Sequence, residues 1–195
     1  EKFPGSEPYL TSAMKSVGEA MSIGRTFHES LQKALASMET GLTGFDEVDI
    51  EGAPDKAAVI KAISAQTPDR LRTIAQAMRH GLTDDDIFLA TKFDPWFLAR
   101  IREIIEAEEE VRKDGLPTDE HGLRLLKMLG FKAARLAKLT GRDEAQVRRA
   151  RLDMGCRRLV NQAPPALHRP PRRSGISLDI SFRRLVKQGP QAVRR

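Results

Sequence analysis

Apolar residues recur at every third or fourth position through most of residues 26–154, which is the spacing of an amphipathic helix. The longest stripe predicts a helix that begins after Asp94-Pro95, and its inward residues are Phe97, Ile101, Ile104, Ile105 and Val111. Strict alternation, the pattern of a half-buried strand, is absent except for a short stretch at residues 19–23. The pattern therefore predicts an all-α domain with an extended or short β segment near its N-terminus.

Start and stop signals divide this pattern into about seven short to medium helices. Thr26 with Glu29, and Thr83 through Asp86, have the spacing of a capping box, in which each side chain accepts a hydrogen bond from the other residue's backbone amide. Further helix starts are predicted at Asp55, Thr67-Pro68, Asp94-Pro95 and Thr118. Two short helices are predicted after these, at 132–140 and 144–154. Glycines end several of these helices, at positions 41, 81, 115 and 130.

Acidic residues in the longest predicted helix have the spacing of surface ion pairs. Glu108 precedes Arg112 by four positions, and Glu109 precedes Lys113 by the same distance, so both pairs are predicted to face outward. Residues 108–110 accordingly predict a solvated helix face.

Charge separates the chain into a body and a tail. Residues 156–195 contain nine Arg and one Lys but a single acid, Asp179, whereas the overall net charge is only +6. This Arg- and Pro-rich tail has no sustained apolar period, and we predict that it is largely disordered, with a possible turn at 182–186. The expected organisation is a linker at residues 1–25, a helical domain at 26–155 and the tail at 156–195.

Cysteine usage and hydropathy limit the location of the protein. The single cysteine, Cys156, has no partner for an internal disulfide, and no apolar run reaches the roughly 18 residues of a membrane span. No secretory leader is visible, and a start at Glu1 rather than Met suggests a piece of a longer polypeptide. We therefore expect a cytoplasmic protein.

Residues 13–35 raise the possibility of a phosphate-binding loop. Gly18 and Gly24 enclose five residues where that motif has four, and Arg25 stands where it has lysine. Helix capping already gives Thr26 a local role, which favours a structural interpretation of this stretch. The four histidines are scattered and no cysteine pair exists, so no metal site and no cofactor are predicted in this chain.

Aromatic residues concentrate at one place, around the start of the longest helix. They are either ordinary core residues or a face presented to a partner, and large exposed apolar patches usually mark an interface. We predict at least a dimer with its contact in or near this group, which consists of Phe88, Phe93, Trp96 and Phe97.

Residues 133–151, AARLAKLTGRDEAQVRRAR, favour a second interpretation. Leu136, Gly141 and Val147 have the spacing of a helix-turn-helix, and arginines follow on the second helix. Against DNA binding, Asp143 and Glu144 open the helix that would meet the phosphates. A short helical hairpin with a tight glycine turn has the same spacing, so DNA binding stays an alternative.

The stretch MKSVGEAMSIGRTFHESLQKAL resembles the junction between the first ATP-grasp half and the oligomerisation domain of the carbamoyl-phosphate synthase large subunit. The resemblance continues through TGLTGFDEV, DRLRTIAQAMRHGL, TKFDPWFLARIREIIEAEEEVR and LRLLKMLGFKAARLAKLTGRDEAQVRRAR, and covers about residues 1–152. The tail after residue 155 departs from the family, as an altered reading frame or a truncated gene copy would produce.

The resemblance implies a scaffold without catalytic residues of its own. The family enzyme is a ligase that uses ATP, Mg or Mn, and K in domains that this chain lacks, and it makes carbamoyl phosphate for arginine and pyrimidine synthesis. Expected partners are the other domains of the large subunit, a glutaminase small subunit and further copies of the chain. By the family's pattern, Met14 and Glu19 line an internal tunnel. The alternative is a free-standing helical interaction protein.

Overall fold

A computed structural model describes residues 12, 19–156 and 177–178. The described residues form eight helices and two very short strands. The strands are β1 (Ser22–Ile23) and β2 (Ser177–Leu178). The helices are α1 (Phe27–Ser37), α2 (Lys56–Ser64), α3 (Arg70–Arg79), α4 (Asp84–Thr91), α5 (Pro95–Asp114), α6 (Glu120–Met128), α7 (Ala133–Thr140) and α8 (Glu144–Asp153). The predicted all-α class is confirmed, with eight helices where about seven were predicted.

The described residues divide into two compact units. The first contains residues 45–106, with α2, α3, α4 and the first part of α5. Its α2, α3 and α4 contact one another. Its core is formed by large apolar side chains that are at most 1% exposed: Phe45, Val59, Ile63, Ile74, Ile87, Leu98, Ile101 and Ile104.

The second unit contains residues 22–44 and the described residues from 107 to 178. In this unit α1 contacts β1 and α6, and α7 contacts α8. The two strands pair antiparallel, with Ser22 opposite Leu178 and Ile23 opposite Ser177. Its buried side chains include Leu31, Leu35, Val111, Leu123, Phe131, Leu136 and Val147.

Two of the predicted helix starts differ from the structure. α3 begins at Arg70, three residues after Thr67, and residues 67–70 form a turn in which the Arg70 N–H donates to the Thr67 carbonyl at 3.2 Å. α6 is capped by Asp119 rather than Thr118, because the Asp119 carboxylate accepts the Gly122 N–H at 2.8 Å. The start at Asp94-Pro95 is confirmed, and the Asp94 carboxylate accepts the Trp96 N–H at 2.8 Å.

Most of the predicted tail lies outside the described residues, including the possible turn at 182–186. Two of its residues, 177–178, form β2. None of the described helices is long and apolar enough to cross a membrane.

Candidate interaction surface

The N-terminus of α1, which resembled a phosphate loop in sequence, is held by internal hydrogen bonds. The Thr26 hydroxyl accepts the Glu29 N–H at 3.2 Å, as the capping box predicts. The reciprocal half of the prediction is wrong, because the Glu29 carboxylate accepts the N–H of Arg25, one residue before the cap, at 2.8 Å. The Thr26 hydroxyl also donates to the Met128 carbonyl at 3.3 Å and so ties α1 to the end of α6. These contacts support the structural interpretation of this loop.

Glu29 is the electrostatic centre of this loop. Its carboxylate also accepts a hydrogen bond from the Lys33 ammonium at 2.5 Å. Partial burial by itself raises the pKa of Glu29, but the amide of Arg25 and the ammonium of Lys33 outweigh it, so the pKa is lowered. Gly24 lies so close to the helix that a Cβ there would be 2.6 Å from the Ser30 nitrogen. The loop therefore requires glycine at position 24.

The residues assigned to a tunnel by resemblance are described only in part. Met14 lies outside the described residues, and Glu19 is exposed. Their role stays a prediction.

The predicted aromatic group divides into exposed and buried members. Phe88 is 36% exposed and Trp96 is 52% exposed, whereas Phe93 is 7% exposed and Phe97 is half-buried. The Arg70 guanidinium lies 4.9 Å from the centre of the Phe93 ring. Phe93 is therefore a core residue of the first unit, while Phe88 and Trp96 are surface residues.

Leu89, next to Phe88 in α4, is also exposed, although it was not among the predicted residues. Its side chain is 66% exposed, more than either aromatic neighbour. We call Phe88, Leu89 and Trp96 the α4–α5 surface. The Trp96 and Phe97 rings meet edge to face with 5.0 Å between their centres, which anchors one side of Trp96 within the unit.

Two cations lie over the exposed rings of this surface. The Lys92 ammonium is 5.3 Å from the centre of the Phe88 ring, and the Arg100 guanidinium is 5.9 Å from that of Trp96. A cation within about 6 Å of an aromatic face is attracted by the ring quadrupole. Arg100 also contacts the Glu103 carboxylate at 2.6 Å, so the Lys92 ammonium is the cation beside these rings that has no described ion-pair partner.

The prediction that Glu108 faces outward is wrong. Its side chain is buried, and its two carboxylate oxygens accept hydrogen bonds from Nε and Nη2 of Arg135, both at 2.7 Å. Arg135 in α7 is equally buried, at 0% exposure. Glu109 and Glu110 are exposed as predicted. The pair is a charge-assisted bidentate contact inside the second unit, and the sequence pattern predicts it for neither residue.

Residues 133–151 form two short helices, α7 and α8, joined at Gly141. Gly141 has a positive φ of 64°, which favours glycine, and Leu136 and Val147 are buried. On α8, the Arg148 guanidinium contacts the Glu144 carboxylate at 2.6 Å. The sequence spacing is thus that of a packed helical hairpin.

The described residues thus combine eight helices with exposed apolar side chains in the first unit and a buried ion pair in the second. Residues 19–155 match the family model described as the carbamoyl-phosphate synthetase large chain, oligomerisation domain. The chain belongs to this family, and its described helices form that oligomerisation domain. The match supports the main interpretation of the sequence and not the alternative of DNA binding.

Curated relatives agree with this assignment. The chain is 57% identical over 157 residues to the carbamoyl phosphate synthase large chain of Brucella melitensis, which covers 79% of this chain and 14% of the relative. It is 52% identical over 151 residues to that of Rhizobium meliloti, with coverage of 75% and 13%. A third large chain, from Xanthomonas axonopodis, is 45% identical over 154 residues, with coverage of 77% and 14%. The chain thus spans about one seventh of the length of the curated relatives it matches.

Proposed function

We propose that this domain joins copies of the large chain to one another through the α4–α5 surface. The observation that carries the proposal is the exposure of three large apolar side chains, Phe88, Leu89 and Trp96, within nine residues. Exposed apolar groups of this kind usually mark a binding surface, because burying them removes apolar area from water at about 25 cal/mol per Å². The family's description as an oligomerisation domain points the same way.

We further propose that the complete protein is an ATP-dependent synthase of carbamoyl phosphate, as the names of its relatives suggest. ATP, Mg or Mn, and K would bind in parts of the large chain outside this domain, and a glutaminase small subunit would supply ammonia. The domain itself would position those parts without taking part in the chemistry. Its predicted lack of tight ATP binding can be measured by calorimetry with ATP and Mg²⁺.

The cytoplasmic location stays a prediction of the sequence. In a cytoplasmic synthase the domain would serve arginine and pyrimidine synthesis through the product of the complete enzyme.

Sedimentation equilibrium of the 195-residue chain tests self-association. We expect a dimer at about 50 µM, which corresponds to a dissociation constant in the micromolar range. Phe88→Ser should shift the equilibrium strongly towards monomer while the helical circular dichroism is retained. Leu152→Ser is the matched control, because Leu152 is 58% exposed but lies in the other unit. A wild-type monomer at this concentration would overturn the proposal.

A further inference from the structure

One face of α4 is exposed along its whole length. Asp85, Phe88, Leu89 and Lys92 are exposed, whereas Ile87 and Thr91 on the opposite face are buried. Asp85, Phe88 and Leu89 are spaced as i, i+3 and i+4, so they lie on one face of α4, and Lys92 follows directly after the last residue of the helix. The stripe has two apolar residues at its centre and one charge at each end.

The two end charges have no ion-pair partner among the described residues. Asp85 and Lys92 differ in this respect from their neighbours, because Asp84 contacts Arg102 at 2.6 Å and Asp86 contacts Lys56 at 2.9 Å. The Lys92 ammonium lies over the Phe88 ring, a contact that leaves it able to meet a carboxylate. The stripe therefore presents one acid and one base to whatever covers it.

This arrangement is self-complementary under a two-fold rotation. In an antiparallel pair of α4 helices whose axis passes between Phe88 and Leu89, Asp85 of one copy lies opposite Lys92 of the other, and the reverse contact forms by symmetry. The two charges are about 10 Å apart along the helix, at 1.5 Å per residue, so both contacts can flank one apolar centre. A partner with charge of a single sign would satisfy only one end.

The backbone at Lys92 supports a role for its charge. Lys92 follows α4 with φ 58° and ψ 23°, nearly the same conformation as Gly141 after α7, at φ 64° and ψ 24°. The left-handed region is unfavourable for residues with a Cβ, and glycine is the usual residue at such a helix end. Lysine at this position places a charge at the end of the stripe, although its backbone is more strained there than that of glycine would be.

We propose that the stripe formed by Asp85, Phe88, Leu89 and Lys92 is the centre of the contact between two copies of this chain, with their α4 helices antiparallel. This inference rests on the self-association proposed above and specifies its geometry. Specific stable interfaces bury about 1,200–2,000 Å² in total, more than four side chains supply. Trp96, four residues after Lys92 and half exposed, extends the contact area on each copy.

Charge reversal tests the antiparallel geometry directly. In a dimer of Asp85→Lys chains, two lysines face each other at both ends, and in a dimer of Lys92→Asp chains, two aspartates do. Each variant alone should lose at least tenfold in dimer affinity.

In an equimolar mixture of the two variants, the introduced lysine of one chain meets the introduced aspartate of the other, and the two unchanged charges meet at the opposite end. Heterodimers should therefore form with near wild-type affinity. Sedimentation with one chain fluorescently labelled measures this, and circular dichroism confirms that each variant is folded.

The outcomes separate the two proposals. If the wild-type chain dimerises and the mixture remains as weak as the single variants, the α4 pairing is wrong while self-association stands. Wild-type affinity in either single variant would overturn the pairing as well. The doubly reversed chain, Asp85→Lys with Lys92→Asp, provides a second check, because it should dimerise with itself but not with wild type. A wild-type monomer would overturn self-association and the pairing together.

Discussion

Charged residues are used in opposite ways in two regions of this molecule. In the second unit Glu108 and Arg135 are buried, and the Arg135 guanidinium donates two hydrogen bonds of 2.7 Å to the Glu108 carboxylate. At the two ends of α4 in the first unit, Asp85 and Lys92 are exposed and form no ion pair with another described residue. Buried charges are tolerated only when they are paired, whereas exposed charges contribute little to folding. We infer that the first pair serves the fold and the second pair serves association.

The largest predicted effect follows from breaking the buried pair. Arg135→Met should lower the free energy of unfolding by about 3–5 kcal/mol, because Glu108 would keep a buried charge without its counter-ion. Asp85→Asn is the matched surface control and should cost at most about 1 kcal/mol, the usual contribution of an acid in the first turn of a helix. Urea denaturation followed by circular dichroism measures both.

Replacing the pair as a whole sharpens the same prediction. The double variant Glu108→Met, Arg135→Met should recover most of the stability lost by Arg135→Met, because no unpaired charge then remains inside. Equal losses in the single and double variants would show that the pair contributes through something other than charge compensation.

A smaller loss of stability is expected from adding a side chain at Gly130, where two backbone segments of the second unit lie close together. Gly130 has φ +95°, and a Cβ there would lie 2.9 Å from the Cα of Glu29, a backbone atom that cannot move aside easily. Gly130→Ala should therefore cost about 2–4 kcal/mol, the sum of left-handed strain and overpacking. Gly141 also has a left-handed backbone, with φ +64°, but no atom lies within 4 Å of an added Cβ. Gly141→Ala should therefore cost only the backbone strain, about 1–2 kcal/mol. Thermal melting distinguishes them, and equal losses would mean that the close approach is relieved elsewhere.

Lys92→Gly should separate folding from association. It relieves about 1–2 kcal/mol of left-handed strain and removes a ring contact worth about 0.5–1 kcal/mol. Stability of the monomer should therefore stay unchanged or rise by up to about 1 kcal/mol, while dimer affinity falls. Glu39→Gly is the control for association, since Glu39 is the other non-glycine residue with φ 58° in the described part of the chain and lies in the second unit. It should leave dimer affinity unchanged. A loss of both stability and affinity in Lys92→Gly would indicate a structural role.

The smallest effect concerns acid stability at the start of α1. The pKa of Glu29 is lowered in the folded state relative to its value in the unfolded chain, because the Arg25 amide and the Lys33 ammonium outweigh partial burial. Its stabilisation is therefore complete above the unfolded pKa and is lost as the pH falls through the folded pKa. Melting temperatures of wild type and Glu29→Gln should differ at neutral pH and converge at low pH. A constant difference across the range would exclude this source of stability.

Local signals in the sequence predicted most helices, and the failures have physical reasons. The reciprocal capping box of Thr83 and Asp86 formed as predicted, because it depends on residues three positions apart. Glu108 was assigned to the outside from its spacing to Arg112, yet it also lies four residues after Ile104 and three before Val111, on the buried stripe. The position of this glutamate on an apolar stripe was the feature of the sequence that indicated its burial. Its partner Arg135 is 27 residues away, and no local pattern identifies it.

The aromatic surface was only partly predictable for a related reason. Composition located the group, but it did not distinguish Phe93, which is in the core, from Phe88 and Trp96 on the surface. The exposure of Phe88 and Leu89 depends on which side of α4 contacts α2 and α3, which their sequence positions do not show. The stripe is defined by the burial of Ile87 and Thr91 on the opposite face of α4.

Trp96 is the only tryptophan in the chain, so its fluorescence reports on the proposed contact. It is 52% exposed in the single chain. If two copies associate through the α4–α5 surface, its emission should shift to shorter wavelength as protein concentration rises, along the same curve as the dimer fraction from sedimentation. Phe88→Ser should abolish the shift. An emission maximum that stays constant while the chain dimerises would place the contact elsewhere and contradict the account.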